Sequence, residues 1–431
     1  MTPLLSQIVR LTKSILLRPS DVSKRPSFQF FPGKPVHLGF QTGGIAVSWW
    51  RNDDTFYARD AVVALIVEQS IEFRGCDLES VADAVMETLK EVCLDRTIFD
   101  GDAVVFARFA TLFECRSVSV PIFANAIREE IEIRLRARLG KWCTVHALPR
   151  FKVRSFLIDE ESIRVIGRND FDAWEALKKS GYQFNGWTPE RATLGSNGET
   201  TFSPPDKFEC LLVAEELGTA KGARFDSMLK FSKLTALMVA VASERAPYPF
   251  HKSAARPYTF CVQFPHLNND DTSIIRNDFS PVAPYFASDV PINDEDIDVI
   301  QQWYSQCYKC GDATRNRLEK GAHFLSRAIN SSDIEAYINY FVTLDALFGQ
   351  RGSVELSILA GVRELKVSPI YSEKASWLFD LRNELVHGGS RYVAEWPKYT
   401  KYALHFRSSP MADVQYLAQH AVLQAPYILT T

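Results

Sequence analysis

The stretch "LFDLRNELVHGGS", residues 378–390, sets a cation, an amide and a titratable ring (Arg382, Asn383 and His387) within six positions at the end of a helical pattern. Those types can do chemistry on a phosphate. Histidine gains and loses a proton near neutrality and can serve as acid or base. Arginine stays charged, and its planar fork can hold two phosphate oxygens. A plainer reading fits the same residues. Cations near a helix C-terminus favour the dipole and the free carbonyls, and a glycine such as Gly388 is a common stop.

At about 100° per residue, Leu378, Leu381 and Leu385 form a core stripe with Arg382 at its edge. Asn383 and His387, four apart, share a second face. Phe379 and Val386 fall between, so this second face is expected to be buried against another subunit.

Two neighbouring patterns carry charges amid apolar residues. In "IEAYINYFVTLDALFG", Asp345 falls within the stripe of Ile334, Ile338, Phe341 and Phe348. In "LSILAGVREL", Arg363 falls within the stripe of Leu356, Leu359 and Ala360. A buried charge requires a partner, so Asp345 is expected to pair with Arg363, Arg382 or both.

The elements around these residues are readable from punctuation. Helices are predicted over 294–307 and 311–330. Another runs over "SSDIEAYINYFVTLDALFG", with a Ser332–Glu335 capping box and a stop at Gly349. Further helices follow at 353–366, 372–388 and 409–424, which together make an all-α helical bundle over 291–431. Residues 1–290 read as α+β, with a candidate split into two subdomains near 145. "PVHLGFQTGGIAVSWW" (35–50) reads as a hairpin, and 78–92, 120–140, 172–181 and 224–243 as helices. Strands are expected over 141–167 and a loop over 186–206. The tryptophans of "SWWRNDD" (48–54) read as core. Residues 267–296, dense in Asn, Asp, Ser and Pro, read as a linker that buries little surface.

The chain has 431 residues and a formal charge of −3, and residues 291–431 carry 14 Lys and Arg against 16 Asp and Glu. No global basic field advertises nucleic acid. No apolar run is long enough for a bilayer, and the N-terminal pattern reads as an amphipathic helix docked on the protein itself. Eight scattered cysteines suggest reduced thiols in the cytoplasm. "CYKC" (307–310) has half the spacing of a zinc site, lacks a second half, and reads as two thiols on a helix. No metal or cofactor motif is present.

Taken in order, "YFVTLDALFG", "ILAGVREL" and "WLFDLRNELVHGG" resemble the HEPN superfamily, and within it the Apea-like branch. The resemblance spans about 294–431 and is strongest over 337–390; Asp345 stands where that branch usually has glutamate. It implies a helical bundle that dimerises, with Arg382, Asn383 and His387 as catalytic residues and Asp345 and Arg363 supporting them. The implied activity is metal-independent endoribonuclease cleavage of RNA, without a cofactor, in a toxin-like or anti-phage abortive-infection effector. Residues 1–290 would control it in response to an unidentified trigger. The alternative implied by the same family is a non-catalytic dimerisation module that binds nucleotide or protein partners.

Overall fold

The computed structural model describes residues 1–18, 36–184, 192–194, 200–202, 208–246, 250–253, 260–268, 274–277 and 282–429. Contacts group the chain into two compact units: residues 1–141 with 217–225, and residues 142–216 with 226–431. An α/β N-terminal region thus precedes a mostly helical C-terminal half. No boundary between units falls at 290.

In the first unit, α1 (Pro3–Ser14) is capped by Thr2 and buries Leu4, Leu5, Ile8 and Leu11. The hairpin of β1 (Val36–Thr42) and β2 (Ile45–Arg51) turns at Gly43–Gly44. Trp49 is fully buried, and Asn52 forms a capping box with Thr55 at the start of α2 (Asp53–Gln69). Of the two tryptophans expected as core, Trp49 is buried and Trp50 half-buried, and the end of the stretch caps α2. The described residues of the unit also form the helices α3 (Leu78–Val92), the short α4 (Gly101–Val105) and α5 (Val120–Arg138).

The second unit is built on β3 (Gly140–Leu148), β4 (Phe151–Lys152), β5 (Phe156–Ile158), β6 (Ile163–Gly167), α6 (Phe171–Lys178) and a small hairpin of β7 (Ala192–Leu194) and β8 (Thr200–Phe202). The remainder of the loop expected at 186–206 lies largely outside the described residues. Next come β9 (Cys210–Gly218) and α7 (Ala220–Arg245), whose residues 217–225 group with the first unit, then β10 (Phe260–Pro265), β11 (Ile274–Asn277) and β12 (Val290–Pro291). The main sheet has the order β11-β10-β3-β9-β6-β5. Alternation along its strands feeds two cores. Val145, Ile166, Leu211 and Val213 pack with Trp174 and Leu177 of α6. Leu148, Val165, Cys210 and Leu212 pack with α7 and with the C-terminal helices.

Those helices are α8 (Asp294–Lys309), α9 (Asp312–Asn330), α10 (Asp333–Phe348), α11 (Val354–Glu364), α12 (Ile370–Val386), α13 (Tyr399–Phe406) and α14 (Pro410–Ile428). Two buried donors tie them: Trp303 Nε1 to the Val422 carbonyl at 2.8 Å and the Tyr337 hydroxyl to the Leu378 carbonyl at 2.8 Å. Because sheet, α7 and helices share one core, the bundle is not a separate body beginning at 291. The expected linker is also corrected where it is described. Val282, Phe286, Val290 and Ile292 are buried in that core, and β12 pairs in parallel with β4. Spaced apolar residues, overlooked among prolines and acids, supply the burial. Residues 269–273 and 278–281 lie outside the described residues.

Candidate functional site

Helix α12 ends as a Schellman motif. His387 is the C-cap; its N–H donates to the Asn383 carbonyl at 3.0 Å. The N–H groups of Gly388 and Gly389 donate to the carbonyls of Leu385 and Glu384 at 3.2 and 3.0 Å. Gly388 sits at φ +75°, a left-handed conformation that costs an L side chain energy. Backbone groups thus take up the carbonyls of Asn383, Glu384 and Leu385. The side chains of Arg382 and His387 are not needed as caps.

The buried face of α12 is Ala375, Leu378, Phe379, Leu381 and Leu385. Its open side carries Glu373, Ser376, Asp380, Asn383 and His387 at helical spacing, with Asn383 half-buried and the others exposed. Glu373 bonds His405 at 3.1 Å and Asp380 bonds Lys398 at 3.0 Å. Arg382 is half-buried. Its Nη1 donates to Asn383 Oδ1 at 3.1 Å, and its guanidinium carbon lies 5.9 Å from the Phe379 ring centre. The His387 ring is exposed and has no hydrogen-bond or ion-pair partner among the described residues. One helix end therefore presents a positioned cation–amide pair and an accessible imidazole. Such an array can bind an anion and exchange a proton with it.

The expected partner-covered pair divides. Val386 is 46% exposed, whereas Phe379 is 7% exposed and packs edge-on against Phe341 at 5.7 Å within the chain. Phe379 is therefore a core residue, brought inward by the close packing of α10 on α12.

The supporting charges are also corrected. Asp345 and Arg363 are both exposed, and no ion pair joins them among the described residues. Helix α10 buries Tyr337, Tyr340, Phe341, Leu344, Leu347 and Phe348, a stripe rotated away from Asp345. Helix α11 buries Ile358, Gly361 and Val362 and leaves Leu356 73% exposed. The reason is steric. A Cβ on Gly361 would stand 2.3 Å from Phe348 Cγ, so α11 approaches α10 along its glycine edge and not along its leucine edge. The end of α10 is met instead by Arg317 of α9, which donates to the carbonyls of Ala346 and Gly349 at 3.5 and 3.3 Å. At its other end Ser332 is the N-cap by position, but its side chain makes no capping bond, so the expected capping box is not formed.

The buried ion pair of this region is one the sequence reading missed, Lys374 with Asp413 at 2.8 Å. A signal was present: Lys374, Leu378, Leu381 and Leu385 share one helical stripe.

Cys307 is buried, which pushes its thiol up to about 12, and Cys310 Sγ donates to the Gln306 carbonyl at 3.1 Å. No cluster of three or more His, Cys, Asp or Glu side chains suited to a metal occurs among the described residues. No helix there is long and apolar enough to cross a membrane.

Comparison with known proteins leaves the chain unassigned. No family model, curated protein or solved structure matches it. The functional argument rests on the site itself.

Proposed function

We propose that the C-terminal helices form a HEPN-like, metal-independent endoribonuclease that acts as a two-fold dimer. The observation that carries the reading is the unpartnered, exposed His387 beside the Arg382–Asn383 pair, at a helix end that the backbone closes as a Schellman motif. In a dimer, His387 of one copy removes the proton of an RNA 2′-hydroxyl as its oxygen attacks phosphorus. His387 of the second copy gives a proton to the departing 5′-oxygen as the P–O5′ bond breaks. Arg382 holds the phosphorane charge, and Asn383 orients Arg382. The products are a 2′,3′-cyclic phosphate and a 5′-hydroxyl. The exposed Val386 and Leu356 supply apolar surface for the second copy.

The alternative is a non-catalytic interaction module. The acidic residues Glu373 and Asp380 on the same side of α12, and the excess of acids over bases in 291–431, favour it. RNA cleavage by the full chain in excess chelator, abolished in His387→Ala, separates the two. A folded, dimeric protein with no such cleavage selects the module.

A further inference from the structure

A cavity of about 190 Å³ lies in the second unit at the N-terminus of α10, the end of that helix remote from Asp345. Phe250, Phe286, Ile329 and Met411 give it an apolar wall. Val239 and Ala336 extend that wall, and Ser243, Lys252, Tyr340 and Gln415 are among the polar residues of the lining. Tyr340 is only 3% exposed, and its hydroxyl has no hydrogen-bond partner among the described residues. Ser243 Oγ, in the same wall, is buried and equally without a partner. Native interiors rarely leave buried hydroxyls orphaned, because each loses its hydration for nothing. Ser243 Oγ is closed off even from water, so the hydroxyl free to meet a group in the cavity is that of Tyr340, on a side chain otherwise buried.

The charge around the cavity indicates the sign of that group. Ser331, Ser332 and Asp333 bring the start of α10 to the lining, and Ser332 leaves the first turn without a side-chain cap. A helix of 16 residues presents a partial positive charge and free N–H groups there. Lys252 Nζ donates to the Ser331 carbonyl, which holds its ammonium at the same helix start. The one carboxylate in the lining, Asp333, is directed elsewhere: its Oδ1 accepts from the Val393 N–H at 3.3 Å.

We infer that this cavity binds a small amphipathic anion, a monocarboxylate on an apolar body about the size of a benzene ring. Its volume suits that body, since an apolar cavity of about 150 Å³ takes up benzene, and is well below the range of about 300–1,000 Å³ typical of larger ligands. The apolar body lies against Phe286, Ile329 and Met411. The carboxylate meets Lys252 and the first turn of α10 and accepts from Tyr340. The site does not depend on the ribonuclease reading.

Calorimetric titration of the full chain with sodium benzoate, and with benzyl alcohol as its neutral counterpart, tests the inference. Benzoate is expected to bind one to one and at least about tenfold tighter than benzyl alcohol, a difference of about 1.4 kcal/mol. Lys252→Met removes that preference, Tyr340→Phe weakens benzoate binding several-fold, and Ser243→Phe fills the cavity and blocks both ligands. Circular dichroism identifies any variant that misfolds, and Lys252 is exposed, so its replacement leaves the packing in place. Absence of saturable benzoate binding up to about 10 mM, equal binding of the neutral analogue, or benzoate affinity unchanged in both Lys252→Met and Tyr340→Phe overturns the inference.

Discussion

Lys374 of α12 and Asp413 of α14 form an enclosed ion pair, Nζ to Oδ1 at 2.8 Å, with side chains 7% and 5% exposed. The pair is fully satisfied. Asp413 Oδ2 accepts from the Tyr402 hydroxyl at 2.8 Å and from Ser408 Oγ at 2.5 Å. Lys374 also donates to Ser408 Oγ at 3.0 Å and lies 4.7 Å from the Tyr371 ring centre. Removing one partner strands the other charge, so Lys374→Met or Asp413→Leu is expected to cost about 3–5 kcal/mol. The double variant should be far less damaged than the sum of the two. Chemical denaturation of the three variants measures this, and additive losses would rule out the coupling.

The exposed Asp345 and Arg363 lead to the opposite expectation. Each replaced by alanine should change stability by no more than about 0.5 kcal/mol, and a double-mutant cycle should show no coupling. A loss of several kcal/mol in either variant would mean that the charge is buried after all.

Gly361 fixes the approach of α11 to α10. Gly361→Ala drives a methyl into the Phe348 ring and should destabilise by about 1–3 kcal/mol, although alanine ordinarily favours a helix over glycine. Thermal unfolding decides the sign. A stabilised variant would show that the two helices separate freely.

His420 supplies a pH dependence. The hydrogen bond that its Nδ1–H donates to Glu244 Oε1 at 2.5 Å, reinforced by that carboxylate's charge and by the Leu365 carbonyl, raises its pKa above the usual 6.5. A raised histidine pKa stabilises the fold fully below the unfolded pKa and loses that contribution as pH rises through the folded one. His420→Gln should therefore cost more stability at about pH 5.5 than at about pH 9. Denaturation curves at the two values check it, and an equal or reversed cost contradicts the assignment.

His387 and Val386 test the proposed function separately. His387 is exposed, so His387→Ala should shift stability by under about 0.5 kcal/mol while abolishing RNA cleavage. Val386→Glu should yield monomers in sedimentation and lose cleavage together with dimerisation. An active monomer would exclude a site shared between two copies.

Much of the local structure could be read in the sequence because its causes are local. The spacing in 78–92 and the glycine stop after His387 depend on neighbours along the chain, and α3 and the end of α12 fall where that chemistry puts them. The types and order of Arg382, Asn383 and His387 were equally legible, as was the succession of an α/β region by helices. Which side of each helix would meet the core was not. Helices α10 and α11 carry apolar residues around much of their circumference, so two faces satisfy the same periodicity. Only the shape of the neighbour chooses between them, here the Phe348 ring against Gly361. That choice exposed Asp345 and Arg363, while Phe379 closed onto Phe341 and Lys374 came to Asp413 across the bundle. Burial of 282–292, and the single core joining the sheet to the helices, arise from the same cause. Periodicity records that a residue can be buried; the opposing surface, distant in sequence, decides whether it is.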